Sequence, residues 1–190
     1  MEINLNNLLQ KAATSLAAYL EKVLPPHFED WWKQAVLNSL SLQQRRRVEQ
    51  RGLGSLAALD LAALLRVLDQ NWYQIATKLD LTSEARHFVK EMQTIRNRWA
   101  HATTEGFPLE DVYRDLDTLQ RFAAVIGADD TFVQEVRSSK TALLARETGT
   151  SNKSEANTPT PSQAPKNHDA EFEPGQIVCV KSNPTIQGAV

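Results

Sequence analysis

The sequence predicts an all-α protein: an antiparallel helical bundle over residues 1–146, then a disordered linker over 147–171 and a short β segment over 172–190. Three observations carry this reading. Apolar residues recur at spacings of three and four almost without interruption up to Arg146, the period of a helix with one buried face. Proline and glycine fall where one apolar stripe stops and the next begins. From Glu147 to Glu171 the composition turns to Ser, Thr, Asn and Pro with no large apolar residue, which cannot bury enough surface to offset the entropy of ordering.

Taken in order, Leu5, Leu8, Leu9, Ala12, Leu16, Leu20 and Val23 form the stripe of a first helix that stops at Pro25 and Pro26. A second helix is expected from Phe28 to Leu40, holding Trp31, Trp32, Ala35 and Val36. Ser41 is placed to cap a short helix over Arg45, Arg46 and Arg47 that ends near Gly52 and Gly54. Beyond Ser55 a long stripe follows with Leu61, Leu64, Leu65, Leu68, Trp72, Ile75 and Leu79, bending at Asp69–Asn71, where three poor helix formers cluster. Thr82 or Ser83 caps the next helix, whose stripe is Ala85, Phe88, Val89, Met92, Ile95 and Trp99 and whose end is expected near Thr103, before Gly106. Pro108 opens a helix with Glu110 and Asp111 in its first turn, where the dipole favours anions. Its stripe runs from Leu109 through Val112, Tyr113, Leu116, Leu119, Phe122 and Ala123 to Ile126, and Gly127 closes it. A last helix from Asp129 or Asp130 carries Phe132, Val133, Val136, Leu143 and Leu144. The tail reads as two short strands, Gln176–Val180 and 187–190, around an Asn-Pro turn. Two strands are not a stable unit alone, so the tail is read as the opening of a small β-barrel-like module and the chain as the N-terminal piece of a longer protein.

Charge narrows the function. Residues 1–146 hold 18 of the 21 basic and 18 of the 23 acidic side chains, so the helical part is formally neutral. Proteins that hold nucleic acid chiefly by counterion release carry a basic excess; an action on RNA would here depend on a local site. The single cysteine, Cys179, leaves no internal disulfide and no cysteine zinc cluster, and no metal or cofactor is expected. No run of eighteen apolar residues is present and the amphipathic N-terminus has no apolar signal core, which argues against a membrane partner and for the cytoplasm.

The chemistry-bearing stretch is Arg96-Asn97-Arg98-Trp99-Ala100-His101, at the end of an amphipathic helix. It resembles the Arg, polar residue, three residues, His signature of HEPN ribonucleases. Asn71-Trp72-Tyr73, the Arg96–His101 run and Glu110–Asp117 followed by Ala-Val-Ile-Gly-Ala128 are similar to the Swt-type HEPN branch, over about residues 1–128. That branch is named for an endonuclease acting on nuclear messenger ribonucleoprotein. Its bacterial members often stand at the N-terminus of large ATPases or helicases, several linked to defence against phage. The resemblance implies a HEPN-like bundle over 1–146 and metal-independent RNA cleavage by the 2′-hydroxyl, at a cleft between two domains of a homodimer. Arg96, Asn97 and His101 are then the catalytic residues. His101 can take or give a proton near neutral pH, Arg96 can neutralise charge on the phosphorane, and Asn97 can both donate and accept in orienting a phosphate or the imidazole.

Helix geometry adds a constraint. At about 100° per residue, Asn97 and His101 lie about 40° apart, whereas Arg96 and His101 lie about 140° apart. Arg96 also falls inside the apolar arc, between Val89 and Met92, so it must meet an acidic residue or open into a cleft. Two copies of the helix around a two-fold axis would bring a guanidinium and an imidazole to one phosphate. Arg98, Arg45, Arg46 and Arg47 are secondary candidates for RNA contact. Trp31 and Trp32, adjacent and thus about 100° apart, cannot both face one core, and one of them is the candidate dimer contact. Structural readings stand beside these: a histidine at a helix end can serve only the dipole, and an arginine in an apolar arc only an ion pair. On that alternative the domain is a non-catalytic dimerisation or docking unit for a downstream helicase or ATPase. His27 and His87 are read as surface residues.

Overall fold

Each residue of the first stripe, from Leu5 to Val23, is buried on one side of α1 (Leu5–Val23), which Asn4 caps by accepting the Asn7 N–H. The computed structural model describes residues 4–101 and 106–145 in full and the backbone of 146–154. It contains α1, α2 (Leu42–Arg51), α3 (Leu61–Gln70), α4 (Trp72–Leu79), α5 (Ser83–Ala100), α6 (Leu109–Val125) and α7 (Asp130–Ser154), with short 3-10 turns at Pro25–His27 and Leu56–Ala58. Among the described residues no strand is present, and no helix is long and apolar enough to cross a membrane. The expected linker beyond Ser154 and the strands Gln176–Val180 and 187–190 lie outside the described residues; the backbone of α7 itself continues past Arg146.

Side-chain register defines the bundle. Asp60 faces Arg96, Leu65 faces Gln93 and Asp69 faces Lys90, so α3 and α5 run antiparallel. Thr118 bonds Glu91 and Asp115 bonds Arg98, so α6 runs back along the opposite side of α5. Asp117 with Lys140 sets α7 against α6, and α1 packs on α3 and α6. The core is one continuous cluster in which Leu16, Leu20, Leu64, Leu65, Met92, Leu116 and Phe122 are almost entirely excluded from solvent. Burying a large aliphatic or aromatic side chain contributes about 1.5–3 kcal/mol, and this layer is what holds α5 between its neighbours.

Local signals explain the boundaries. Ser41 and Gln44 form a reciprocal capping box at the start of α2, which Gly52 ends in the left-handed region at φ 58°. The expected bend falls at Asn71, between α3 and α4. Helix α5 stops at Ala100, short of Thr103, with His101 as its C-cap. Leu79 and Leu109 lie on their stripes but are exposed because each sits at an end of its helix, and Leu144 is exposed beside buried Leu143, about 100° further round the helix.

The second expected helix, Phe28–Leu40, is corrected. Only Trp32–Leu37 is helical there in the long-turn sense, a π-helical segment in which the Asn38 N–H reaches back to Lys33 O at 3.1 Å. Buried Asn71 closes the end of this segment. Its Nδ2 donates to Ala35 O at 2.9 Å, Ser39 Oγ at 3.0 Å and Val67 O at 2.7 Å. Ala35 O, the acceptor an α-helix would offer to the Ser39 N–H, is taken by that side chain, and the Ser39 N–H turns to Val36 O instead. Trp31 and Trp32 do not divide between core and solvent: both are half-buried against the core and pack edge to face, ring centroids 5.6 Å apart. His27 is likewise half-buried, its ring nitrogens shielded and without a hydrogen-bond partner among the described residues.

Candidate active site

Helix α5 carries Arg96 and Asn97, and its C-cap is His101. Thr82 caps it by accepting the Ala85 N–H at 3.3 Å, Glu84 sits in its first turn, and Ala85, Val89, Met92 and Ile95 bury one face. That burial fixes the rotation of the helix and therefore the direction of every other side chain on it. Two flanks remain, one toward α3 and one toward α6, and they differ in character.

On the α3 flank Arg96 answers the requirement set by its place in the apolar arc. Its guanidinium meets Asp60, the N-cap of α3, at 3.6 Å and donates to Asn97 Oδ1 at 3.3 Å. Neither partner encloses it: Asp60 is about half exposed, and Arg96 forms a wall shared by two clefts, of about 450 Å³ toward α2 and α3 and about 620 Å³ toward α1. Asn97 is exposed and lines the first cleft. His101 is exposed at the C-cap, its backbone N–H bonded to Arg98 O and Trp99 O, with its imidazole forming no hydrogen bond among the described residues. Within one chain, then, the structure brings Arg96 and Asn97 together at a cleft and leaves His101 at the end of the helix, lining neither cavity.

On the α6 flank stands a cluster that the motif reading did not isolate. Asp115 is buried; its Oδ1 accepts from Arg98 Nη2 and its Oδ2 accepts from Trp99 Nε1 at 2.7 Å. Phe107 covers the pair, its ring 4.7 Å from Trp99 and 5.5 Å from the Arg98 guanidinium. Both carboxylate oxygens are thus satisfied by donors from the last turn of α5, which pins that turn against α6. A signal for this existed: Asp115 interrupts the Val112, Leu116, Leu119 stripe of α6, and a carboxylate in an apolar stripe needs a cation or donor.

Of the remaining candidates, Arg45 is paired with Glu49 at 3.0 Å, and Arg46 and Arg47 are exposed without an ion pair among the described residues. Further along α6, Asp117 accepts from Lys140 at 2.5 Å and from Arg121 at 2.8 Å. The Lys140 hydrogen bond lowers the Asp117 pKa from its ordinary value, against partial burial and with help from Arg121. Among the described residues no group of three His, Cys, Asp or Glu is placed to hold a metal ion.

An all-helical antiparallel bundle of this kind is consistent with a HEPN domain. Residues 7–127 match the family model described as Swt1-like HEPN, and the chain belongs to that family. HEPN domains are generally RNase-like or nucleotide-binding, and they often bind RNA and dimerise. No curated protein and no solved structure matches the chain significantly.

Proposed function

We propose that the chain is a metal-independent RNA endonuclease module, acting as a homodimer and forming the N-terminal part of a larger helicase- or ATPase-linked defence or RNA-surveillance protein. The observation that carries the reading is the state of Arg96: a guanidinium set on the wall of a cleft beside Asn97, held by one long contact to a half-exposed carboxylate. Such a pair is weak, so a phosphate oxygen can replace Asp60 at little cost. His101, exposed and without a side-chain partner among the described residues, is available to accept the 2′-hydroxyl proton as the oxygen attacks phosphorus, or to donate a proton to the leaving 5′-oxygen. Because Arg96 and His101 point about 140° apart on one helix, the second copy supplies the complementary group. Exposed Arg46 and Arg47 contact the RNA backbone, and Trp31 or Trp32 contributes to the dimer.

The full chain is expected to cut single-stranded RNA in EDTA, with His101→Ala slowing cleavage by about 10²-fold or more at unchanged helicity and mass in solution. Equal cutting by wild type and mutant, or none by either, would overturn the nuclease reading. The existing Arg96–Asp60 contact favours one second reading, in which Arg96 is a structural ion pair and the domain docks partners without catalysis.

A further inference from the structure

The cleft of about 450 Å³ between α2, α3 and α5 is rich in amides, which make up five of its eleven lining residues. Gln43 and Gln44 come from the first turn of α2, Gln70 from the end of α3, and Gln93 and Asn97 from α5. Their hydrogen-bonding capacity is largely unspent. Gln44 Oε1 accepts from the Ser41 N–H, and Gln93 Nε2 reaches Leu65 O only at 3.5 Å. The side chains of Gln43 and Gln70 form no hydrogen bond among the described residues. The same walls carry three cations, Arg66, Lys90 and Arg96, against one acid, Asp69, whose oxygens are taken by Lys90 and Arg86. Counting Asp60, which faces Arg96, the site keeps an excess of one cation, and Arg66 has donors to spare beyond the Nε that bonds Ser39 O at 2.7 Å; in a helical domain without net charge this is a local positive site. The cleft on the α6 flank contrasts with it, four acids (Glu91, Asp111, Asp115, Asp117) facing three arginines.

Position matters as much as lining. On α5, Gln93 lies about 60° from Arg96 and about 40° from Asn97, between the two, one helical turn toward the N-terminus. Lys90, Gln93, Asn97 and His101 fall within about 80° of one another. They form a polar track of about 16 Å along the helix at a rise of 1.5 Å per residue. A strand whose phosphate sits at Arg96 and Asn97 would carry its neighbouring nucleotide into the amide-lined cleft, whose volume falls within the roughly 300–1,000 Å³ of small-molecule sites. Amides offer a donor and an acceptor side by side, the complement of a nucleobase edge, and the Watson–Crick edge is accessible only when the base is unpaired.

We propose that this cleft is a base-reading subsite that takes one unpaired ribonucleotide adjacent to the scissile phosphate. Gln93 and Gln70 read the base edge from opposite walls, and Lys90 and Arg66 hold the flanking phosphate. The inference rests on the nuclease reading for the words "adjacent to the scissile phosphate"; the nucleotide site itself is tested without cleavage. In an amide-edited ¹H–¹⁵N titration of the full chain with the four ribonucleoside 5′-monophosphates, the Gln43, Gln70 and Gln93 side-chain signals should shift. One base should bind about tenfold or more tighter than the weakest, the discrimination one good bidentate amide contact supplies. Gln93→Leu should bring the four affinities together; Gln70→Ala, at an exposed helix end, repeats the test should the first variant misfold. Equal response to all four bases, shifts reproduced by inorganic phosphate alone, or no shift of these amides overturns the subsite.

A cleavage arm separates the two claims. On single-stranded RNA of mixed sequence, the wild type should cut next to the preferred base and Gln93→Leu should flatten the preference. Cutting with no base preference refutes the subsite and leaves the nuclease standing. If nothing is cut, the nuclease reading fails, and the titration decides the nucleotide site.

Discussion

Arg96 and Arg98 are two residues apart on one helix, identical in chemistry, and held in opposite ways. Arg98 points to α6 and meets a carboxylate with only 4% of its side chain exposed, shared with the Trp99 indole and roofed by Phe107. Arg96 points to α3 and meets a carboxylate that is 46% exposed, at 3.6 Å, between two open clefts. A buried ion pair costs its desolvation whether or not it is useful, and losing one partner leaves a charge stranded; an exposed pair can be exchanged for water or a ligand with little change. At its C-terminal end the helix therefore has one side built to stay and one side free to bind, whereas its N-terminal half is clamped to α3 as well, Arg86 and Lys90 holding the buried Asp69 carboxylate. An arrangement of this kind lets a site be exposed without being loose: the Asp115 clamp fixes the last turn of α5, and Arg96 and Asn97 on the other side of it have no buried partner to leave.

The largest effect should follow from breaking the fixed flank. Asp115→Ala strands the half-buried Arg98 guanidinium and unpairs the Trp99 N–H, a loss of about 3–5 kcal/mol. At about 2–4 °C per kcal/mol for a chain of this size, the melting temperature should fall by roughly 6–20 °C. A drop of under about 2 °C in a thermal melt would mean that Arg98 and Trp99 are satisfied otherwise, and the contrast between the flanks would disappear.

Much of this was legible in the sequence, for reasons that differ by residue. The stripe of α1 was readable because a helical period needs only local information, and all seven of its members are buried. The break at Asn71 and the caps at Ser41 and Thr82 were readable because they depend on the chemistry of one or two side chains. That Arg96 must find an acid or a cleft followed from its angular position, and the structure supplies both. The π-helical Trp32–Leu37 is not readable, since an apolar period does not distinguish its long turn, and the side chain that bonds its Ala35 carbonyl lies 36 residues away. The Arg98, Trp99 and Asp115 cluster is not legible from the motif, in which Arg98 is a candidate for RNA contact; the clue lies in the other helix, where Asp115 interrupts an apolar stripe. The amide cleft escaped for the same reason in stronger form, as its walls come from three helices that no local pattern connects.

Asp117 provides an intermediate case between the two flanks, with 34% of its side chain exposed and Lys140 and Arg121 as partners. Its pKa is lowered in the folded state by the Lys140 hydrogen bond. A lowered carboxylate stabilises the fold above the pKa it has when unfolded, near 4, and the contribution is lost as pH falls through the lower folded value. Asp117→Asn should cost about 0.5–1 kcal/mol at pH 7, discounted for solvent screening. The gap between wild type and variant should close as pH falls below about 4. A gap of constant width from pH 7 to pH 2.5 would show that the effect is packing rather than charge.

The smallest effect should come from the open flank, and it is the sharpest test of the comparison. Asp60 does two jobs: its Oδ1 accepts the Ala63 N–H at 2.8 Å as the N-cap of α3, and its Oδ2 faces Arg96. Alanine would remove both and confuse a lost cap, about 1 kcal/mol, with a lost ion pair. Asparagine caps about as well as aspartate and removes only the charge. Asp60→Asn should therefore shift stability by no more than about 0.5 kcal/mol. It should also strengthen binding of a short single-stranded RNA to the His101→Ala background, because Arg96 no longer has a carboxylate to leave. If Asp60→Asn instead destabilised the domain as strongly as Asp115→Ala, Arg96 would be a structural ion pair like Arg98. If stability held but RNA binding were unchanged, the guanidinium beside Asn97 would not be a phosphate contact.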